Sequence, residues 1–228
     1  MEIRVPHPWP RGQSEALNIQ YQFKDRVILN GSLSETRLVA GIDTAFDHRT
    51  DMLFAAVCVF TYPDMEEQER ATASAKAEFE YVPGLHAFRE GPVILLALAR
   101  LKTRPDLIIF SSHGIAHPRR FGLASHLGVI LDIPTIGCAR KRLAGNHEEV
   151  ASHRGASSPL VLDHQQVGTV YRTRDNVKPV FISPGHKCAV DDAAQMVINC
   201  LRGFRVPAPL QAAHRLANRM KNNNKKPT

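Results

Sequence analysis

The chain has 228 residues, 43% of them apolar and 22% charged, enough to bury one sizeable core in a single large domain. No apolar run approaches the roughly 20 residues of a membrane span, and the start, MEIRVPHPWPRGQ, lacks a signal-peptide core, so a cytoplasmic protein without membrane contact is expected. The formal charge of +7 favours an anionic partner such as nucleic acid, and the scattered Cys58, Cys138, Cys188 and Cys200 read as buried free thiols rather than a zinc ribbon.

After a Pro-rich lead, Ser14 to Val27 reads as a helix, with Ile19, Phe23 and Val27 at every fourth position. RLVAGIDTAF (37–46) and MLFAAVCVF (52–60) read as strands around the polar turn DHRTD, and a weaker third strand is expected within 70–80. LHAFREGPVILLALARLK (85–102) has helical spacing, with Gly91 and Pro92 marking a kink or restart. DLIIFSS (106–112) has the apolar run of a buried strand, RFGLASHLGVIL (120–131) returns to a helix, and IPTIGCA (133–139) is a short strand. PLVLD, VGTVYR and PVFIS (179–183) supply three more strands. Asp191 is placed to cap a helix through Leu201, and a last helix covers 209–220. Hairpin strands followed by alternating helix and strand imply one α/β domain, a mixed β-sheet flanked by α-helices. The divisions expected are an N-terminal extension and helix over 1–30, the main domain over 31–217, and a basic, disordered tail over 218–228.

Two acids stand where phosphodiester chemistry would want them. Asp43 is centred in an apolar strand, and a buried carboxylate needs a partner. Glu90 sits on a helix among apolar neighbours. Each also has a structural reading, an Asp bonded to backbone and a helical Glu facing water. Together they suit Mg²⁺ held by carboxylates, which neutralises developing charge and activates water. SSHGIAHPRRFG (111–122) follows an apolar strand, and strand ends of this kind are where α/β sheets bind ligands. His113 and His117 are four apart, but Gly114 and Pro118 argue against a zinc-binding helix. His117, Arg119 and Arg120 suit phosphate contact or loop ordering instead.

These residues resemble the endonuclease V family. The matching stretches are GIDTAF (41–46), YVPGLHAFREGP (81–92), PDLIIFSSHGIAHPRRFGLASHLG (105–128), IPTIGCARKRLAG (133–145), FISPGHKCAVDDA (181–193) and GFRVPAP (203–209), in order along the chain. The resemblance implies a ribonuclease H-like fold. It also implies cleavage of inosine-containing DNA or RNA at the second phosphodiester 3′ to inosine, dependent on Mg²⁺ with Mn²⁺ as an alternative. By position, Asp43 would be a metal ligand, Glu90 the second active-site carboxylate, and His214 a histidine near the active site. Tyr81 would be the wedge that replaces lost stacking around a displaced base. Pro83, Gly84, His117, Arg119, Arg120, Arg140 and Lys141 would bind nucleic acid, with Gly84 and the loop after it forming a base pocket.

Three positions depart from the family pattern. Ser111 stands where the family has a metal-ligating aspartate, and a neutral hydroxyl is a weak ligand. Asp106 is no substitute, being about 17 Å away along the strand. Arg140 replaces a lysine and contacts phosphate with different geometry, and Glu80 replaces the proline before Tyr81. The primary expectation is an active endonuclease. The alternative is a non-catalytic, inosine-binding relative, which Ser111 would explain. A zinc hydrolase is the third and least favoured.

Overall fold

The computed structural model describes residues 3–224. In chain order it contains α1 (Gln13–Phe23), a short 3-10 turn (Lys24–Arg26), β1 (Leu38–Asp47), β2 (Met52–Thr61), β3 (Glu67–Lys76), α2 (His86–Ala99), β4 (Leu107–Phe110), α3 (Leu123–Leu131), β5 (Thr135–Ala139), β6 (Ser157–Leu162), β7 (Gln165–Tyr171), β8 (Val180–His186), α4 (Val190–Asn199) and α5 (Ala208–Asn223). All eight strands form one sheet in the order β3-β2-β1-β4-β5-β8-β7-β6. Only β1, β4 and β5 are parallel neighbours; the other pairs are antiparallel.

The near-continuous apolar run of β2 follows from burial on both faces. Leu53, Ala55, Val57 and Val59 face a core shared with α2 and α3, whereas Phe54, Ala56, Cys58 and Phe60 face a core shared with α4 and α5. All four cysteines lie in the second core as free thiols. Among the described residues no helix is long and apolar enough to cross a membrane.

Several expected boundaries shift. The third strand begins at Glu67 and ends at Lys76, because it pairs along the length of β2 as its outer neighbour. α2 runs through Gly91 and Pro92 without a restart. Gly91 is needed there for packing, since a Cβ would fall 2.7 Å from the Trp9 ring. α3 starts at Leu123 rather than 120, because Arg120 adopts a positive φ of 54° and ends any helical path. α4 is not capped by Asp191: Ala189 holds the cap position and Asp191 lies in the first turn, where a carboxylate still suits the helix dipole. α5 continues through Asn223, so the expected tail is helical over 218–223; residues 225–228 lie outside the described residues.

The N-terminal segment is no loose extension. Ile3, Val5 and Trp9 pack on the α2–α3 core, and the His7 and His126 Nε2 atoms stand 2.7 Å apart in a hydrogen bond within an aromatic cluster.

Candidate active site

The site gathers where β1 runs past the end of β4. Their parallel register pairs Val39–Ile42 with Leu107–Phe110, and Ser111 N–H donates to Ile42 O at 3.0 Å, which sets Ser111 beside Asp43. Successive strand residues point to opposite faces, so β1 serves two helices at once. Asp43 points towards α5, where His214 Nδ1–H donates to its Oδ2 at 2.7 Å. Thr44 points towards α2, and its hydroxyl donates to Glu90 Oε2 at 2.8 Å. Thr44 N–H also donates to Asp43 Oδ1 at 2.9 Å, so a single threonine ties the two carboxylates together. A narrow cleft lined by Asp43, Thr44, Glu90, Ser111 and Ser112 joins these groups.

α5 reaches Asp43 because Gly41 lets it approach. A Cβ at Gly41 would lie 2.2 Å from the Pro209 carbonyl carbon, so only glycine permits this backbone contact, five residues before His214.

The two carboxylates differ in their electrostatics: Asp43 has His214 and Arg140 beside it, whereas burial dominates at Glu90, with Arg89 opposing it only weakly. Burial, and after it the Asp43 charge, push Glu90 up to about 7 against the opposing hydrogen bond from Thr44. Arg140 Nη1 stands 3.8 Å from Asp43 Oδ2 and donates to Ser111 Oγ at 3.4 Å. Two carboxylates and a hydroxyl are hard oxygen donors, and among the described residues no ion pair to Glu90 is formed, so the residues fit a hard divalent ion. Asp43 and Glu90 are the residues that could hold such an ion, with Ser111 able to add only a neutral oxygen. No group of three or more His, Cys, Asp and Glu among the described residues is placed to hold a metal by itself.

Beside the carboxylates opens a cavity of about 300 Å³, bounded by Gly84, His86, Ser112, His113, Arg140 and Lys141 among others. Its rim is the turn 82–85, closed by Leu85 N–H donating to Val82 O at 3.0 Å. Pro83 and a Gly84 φ of 82° are the residues and geometry of a type II turn. Tyr81, 61% exposed, stands just before the turn with its ring edge-on to His86 at 5.2 Å. Lys141 is exposed at the cavity wall.

Three residues expected to bind nucleic acid are turned inward. His117 is buried; its Nε2–H donates to Gly84 O at 2.8 Å and its Nδ1 accepts from Arg119 N–H at 3.1 Å, so both nitrogens are used. Burial pushes His113 and His117 down to about 4, which leaves both uncharged near neutrality. Arg119 donates from Nη2 to Gly84 O at 3.1 Å. Arg120 donates to Leu162 O at 2.8 Å and to Gln165 Oε1 at 3.0 Å, on the β6–β7 hairpin. In the structure these side chains order the loop and tie it to the rim turn and to the β6–β7 hairpin. Asp106 is likewise structural: its carboxylate accepts from the N–H groups of Arg37 and Leu38, each at 2.9 Å, at the far end of β1. Sequence reasoning missed Gln20 and Thr44, whose partners lie too far along the chain for spacing to reveal.

Comparison with known proteins places this geometry. The endonuclease V family model matches residues 21–215. Endonuclease V of Trichormus variabilis is 42% identical over 95% of this chain and 99% of its own length. The crystal structure of Endonuclease V from Streptomyces avermitilis superposes with a TM-score of 0.89 at 38% identity, covering 99% of this chain and 100% of that one. The Ciona intestinalis Endonuclease V, solved with a 24mer DNA containing an inosine followed by a ribo-adenosine, shares the fold at TM-score 0.79 and 24% identity, over 93% of this chain and 98% of that one. The mixed sheet with helices on both faces is thus the ribonuclease H-like architecture expected from the sequence, and the chain belongs to the endonuclease V family.

Proposed function

We propose that the chain is a divalent-metal-dependent endonuclease that cuts nucleic acid at the second phosphodiester 3′ to inosine, in nucleic-acid repair or inosine-RNA processing. The observation that carries this reading is the union of the Asp43–Thr44–Glu90 carboxylate pair with a base-sized cavity whose rim bears an exposed tyrosine. Inosine would leave the stack and enter the cavity, with Tyr81 filling the gap beside it. Asp43 and Glu90 would hold Mg²⁺ or Mn²⁺, which supplies charge neutralisation and an activated water at the phosphate. His214 fixes the orientation of Asp43 through the Nδ1–H bond, and Arg140 offers a fixed positive charge to the phosphate next to Ser111. Lys141 adds a second cation at the wall. Four buried, unpaired thiols suit a reducing compartment, in keeping with a cytoplasmic enzyme.

The test is a nicking assay on inosine-containing DNA and RNA strands with Mg²⁺ or Mn²⁺, run beside Asp43→Ala. Metal-dependent cuts 3′ to inosine, lost in the variant, are expected. Cutting that persists in Asp43→Ala would reject the metal role, and wild-type binding without cutting would favour recognition alone. Comparing the two strand types decides which is the better substrate.

A further inference from the structure

One carbonyl on the cavity rim receives an unusual supply of donors. Gly84 O accepts from Gln20 Nε2 at 2.9 Å, from His117 Nε2 at 2.8 Å and from Arg119 Nη2 at 3.1 Å. Of the three, Gln20 comes from a separate element, α1. Its side chain is fully buried, donates also to Phe121 O at 3.0 Å, and accepts from Arg119 Nε through Oε1.

Burying an amide is costly unless its groups are bonded. Its bonds run to the rim turn and to the loop that supports it. The turn is also held from below: Leu85 packs with Ala16, Phe79 and Phe88 in a small apolar cluster that includes α1. Space is tight, since a Cβ on Gly84 would lie 2.9 Å from Arg119 Nη2 and 3.1 Å from His117 Nε2.

We infer that Gln20 is a positioning residue of the base cavity, locking the Gly84 turn and Arg119 before nucleic acid arrives. α1 then belongs to the site, although the family match begins within it at residue 21, one residue after Gln20. The inference rests on the reading of the cavity as the pocket for a displaced base. A turn fixed in advance avoids an ordering cost on binding, and that saving applies only when a base enters the cavity. Contacts to the phosphate backbone are made with or without inosine.

The experiment measures equilibrium binding, by fluorescence anisotropy in EDTA so that no strand is cut. It uses an inosine-containing strand and the same strand with adenine in its place. Wild type is compared with Gln20→Met, which keeps length and loses every hydrogen bond, and with Gln20→Glu, which keeps the acceptor for Arg119 and loses the donors to Gly84 and Phe121. The expected result is a fall of about tenfold in the inosine-to-adenine affinity ratio for Gln20→Met, equivalent to about 1.4 kcal/mol. Gln20→Glu should fall in the same direction and serves alone if Gln20→Met does not fold. A merely structural role would lower the unfolding midpoint and weaken both strands alike, leaving the ratio unchanged, and that result would overturn the inference. A wild-type ratio near one would overturn the cavity reading itself, and this inference with it.

Discussion

Replacing Glu90 with glutamine should make the metal-free protein more stable in alkaline solution and leave it nearly unchanged in acid. The carboxyl is pushed up from 4.5 to about 7, chiefly by burial and then by Asp43. A raised folded-state value means that the native protein holds its proton more tightly than the unfolded chain does. Stability from this group is therefore fully present below about pH 4.5 and is lost as pH rises through about 7. For a sealed carboxyl the loss amounts to about 3 kcal/mol, and water reaching Glu90 from the cavity reduces it to about 2 kcal/mol. Glutamine keeps an oxygen to accept the Thr44 hydroxyl and carries no charge, so it escapes the loss. Urea unfolding in EDTA at pH 5 and pH 8.5 measures it, with the difference between the two proteins at each pH cancelling the titrations not coupled to Glu90. The gap should open by about 2 kcal/mol between the two pH values, in favour of Glu90→Gln. Parallel curves, or a variant that is the less stable protein at pH 8.5, would refute the assignment of Glu90 as a carboxylate whose burial outweighs the Thr44 bond and Arg89.

Three further outcomes follow from the same geometry. Ser111→Asp places a charged oxygen beside Asp43 and should raise divalent-ion affinity about tenfold by calorimetry; unchanged affinity would mean that position 111 does not face the ion. Gly41→Ala forces a Cβ against the Pro209–Leu210 backbone, so thermal or urea unfolding should reveal a loss of about 1–3 kcal/mol, with nicking activity reduced further as His214 moves from Asp43. The four thiols, each pushed up to about 12 mainly by burial, should resist a thiol reagent at pH 8 and react together on unfolding.

Periodicity was clearest in β2, where both faces are covered, and weakest in β3, whose alanines and exposed outer positions give little buried pattern. It failed at ends decided by tertiary contact. α3 begins late because the preceding arginine turns back to the β6–β7 hairpin, and α5 runs long because its polar C-terminal turn carries no apolar signal of where it stops. The carboxylates Asp43 and Glu90 were legible as acids among apolar residues. The direction of the arginines and histidines in 113–120 was not, since a basic loop reads the same whether it faces phosphate or its own backbone.

That ambiguity has a physical consequence for how the site works. His117 and Arg119 donate to Gly84 O, Arg119 also to Gln20, and Arg120 to the hairpin, whereas the cations that act on the two carboxylates are Arg140 beside Asp43 and Arg89 near Glu90. Arg140 in turn leans on Asp43 and Ser111, where a second carboxylate would have held it more firmly. Ser111 is neutral, so Arg140 meets one hydroxyl and the Asp43 carboxylate here. Position 111 and Arg140 are thus electrostatically coupled, and the Ser111→Asp variant should strengthen that contact as well as the binding of a divalent ion.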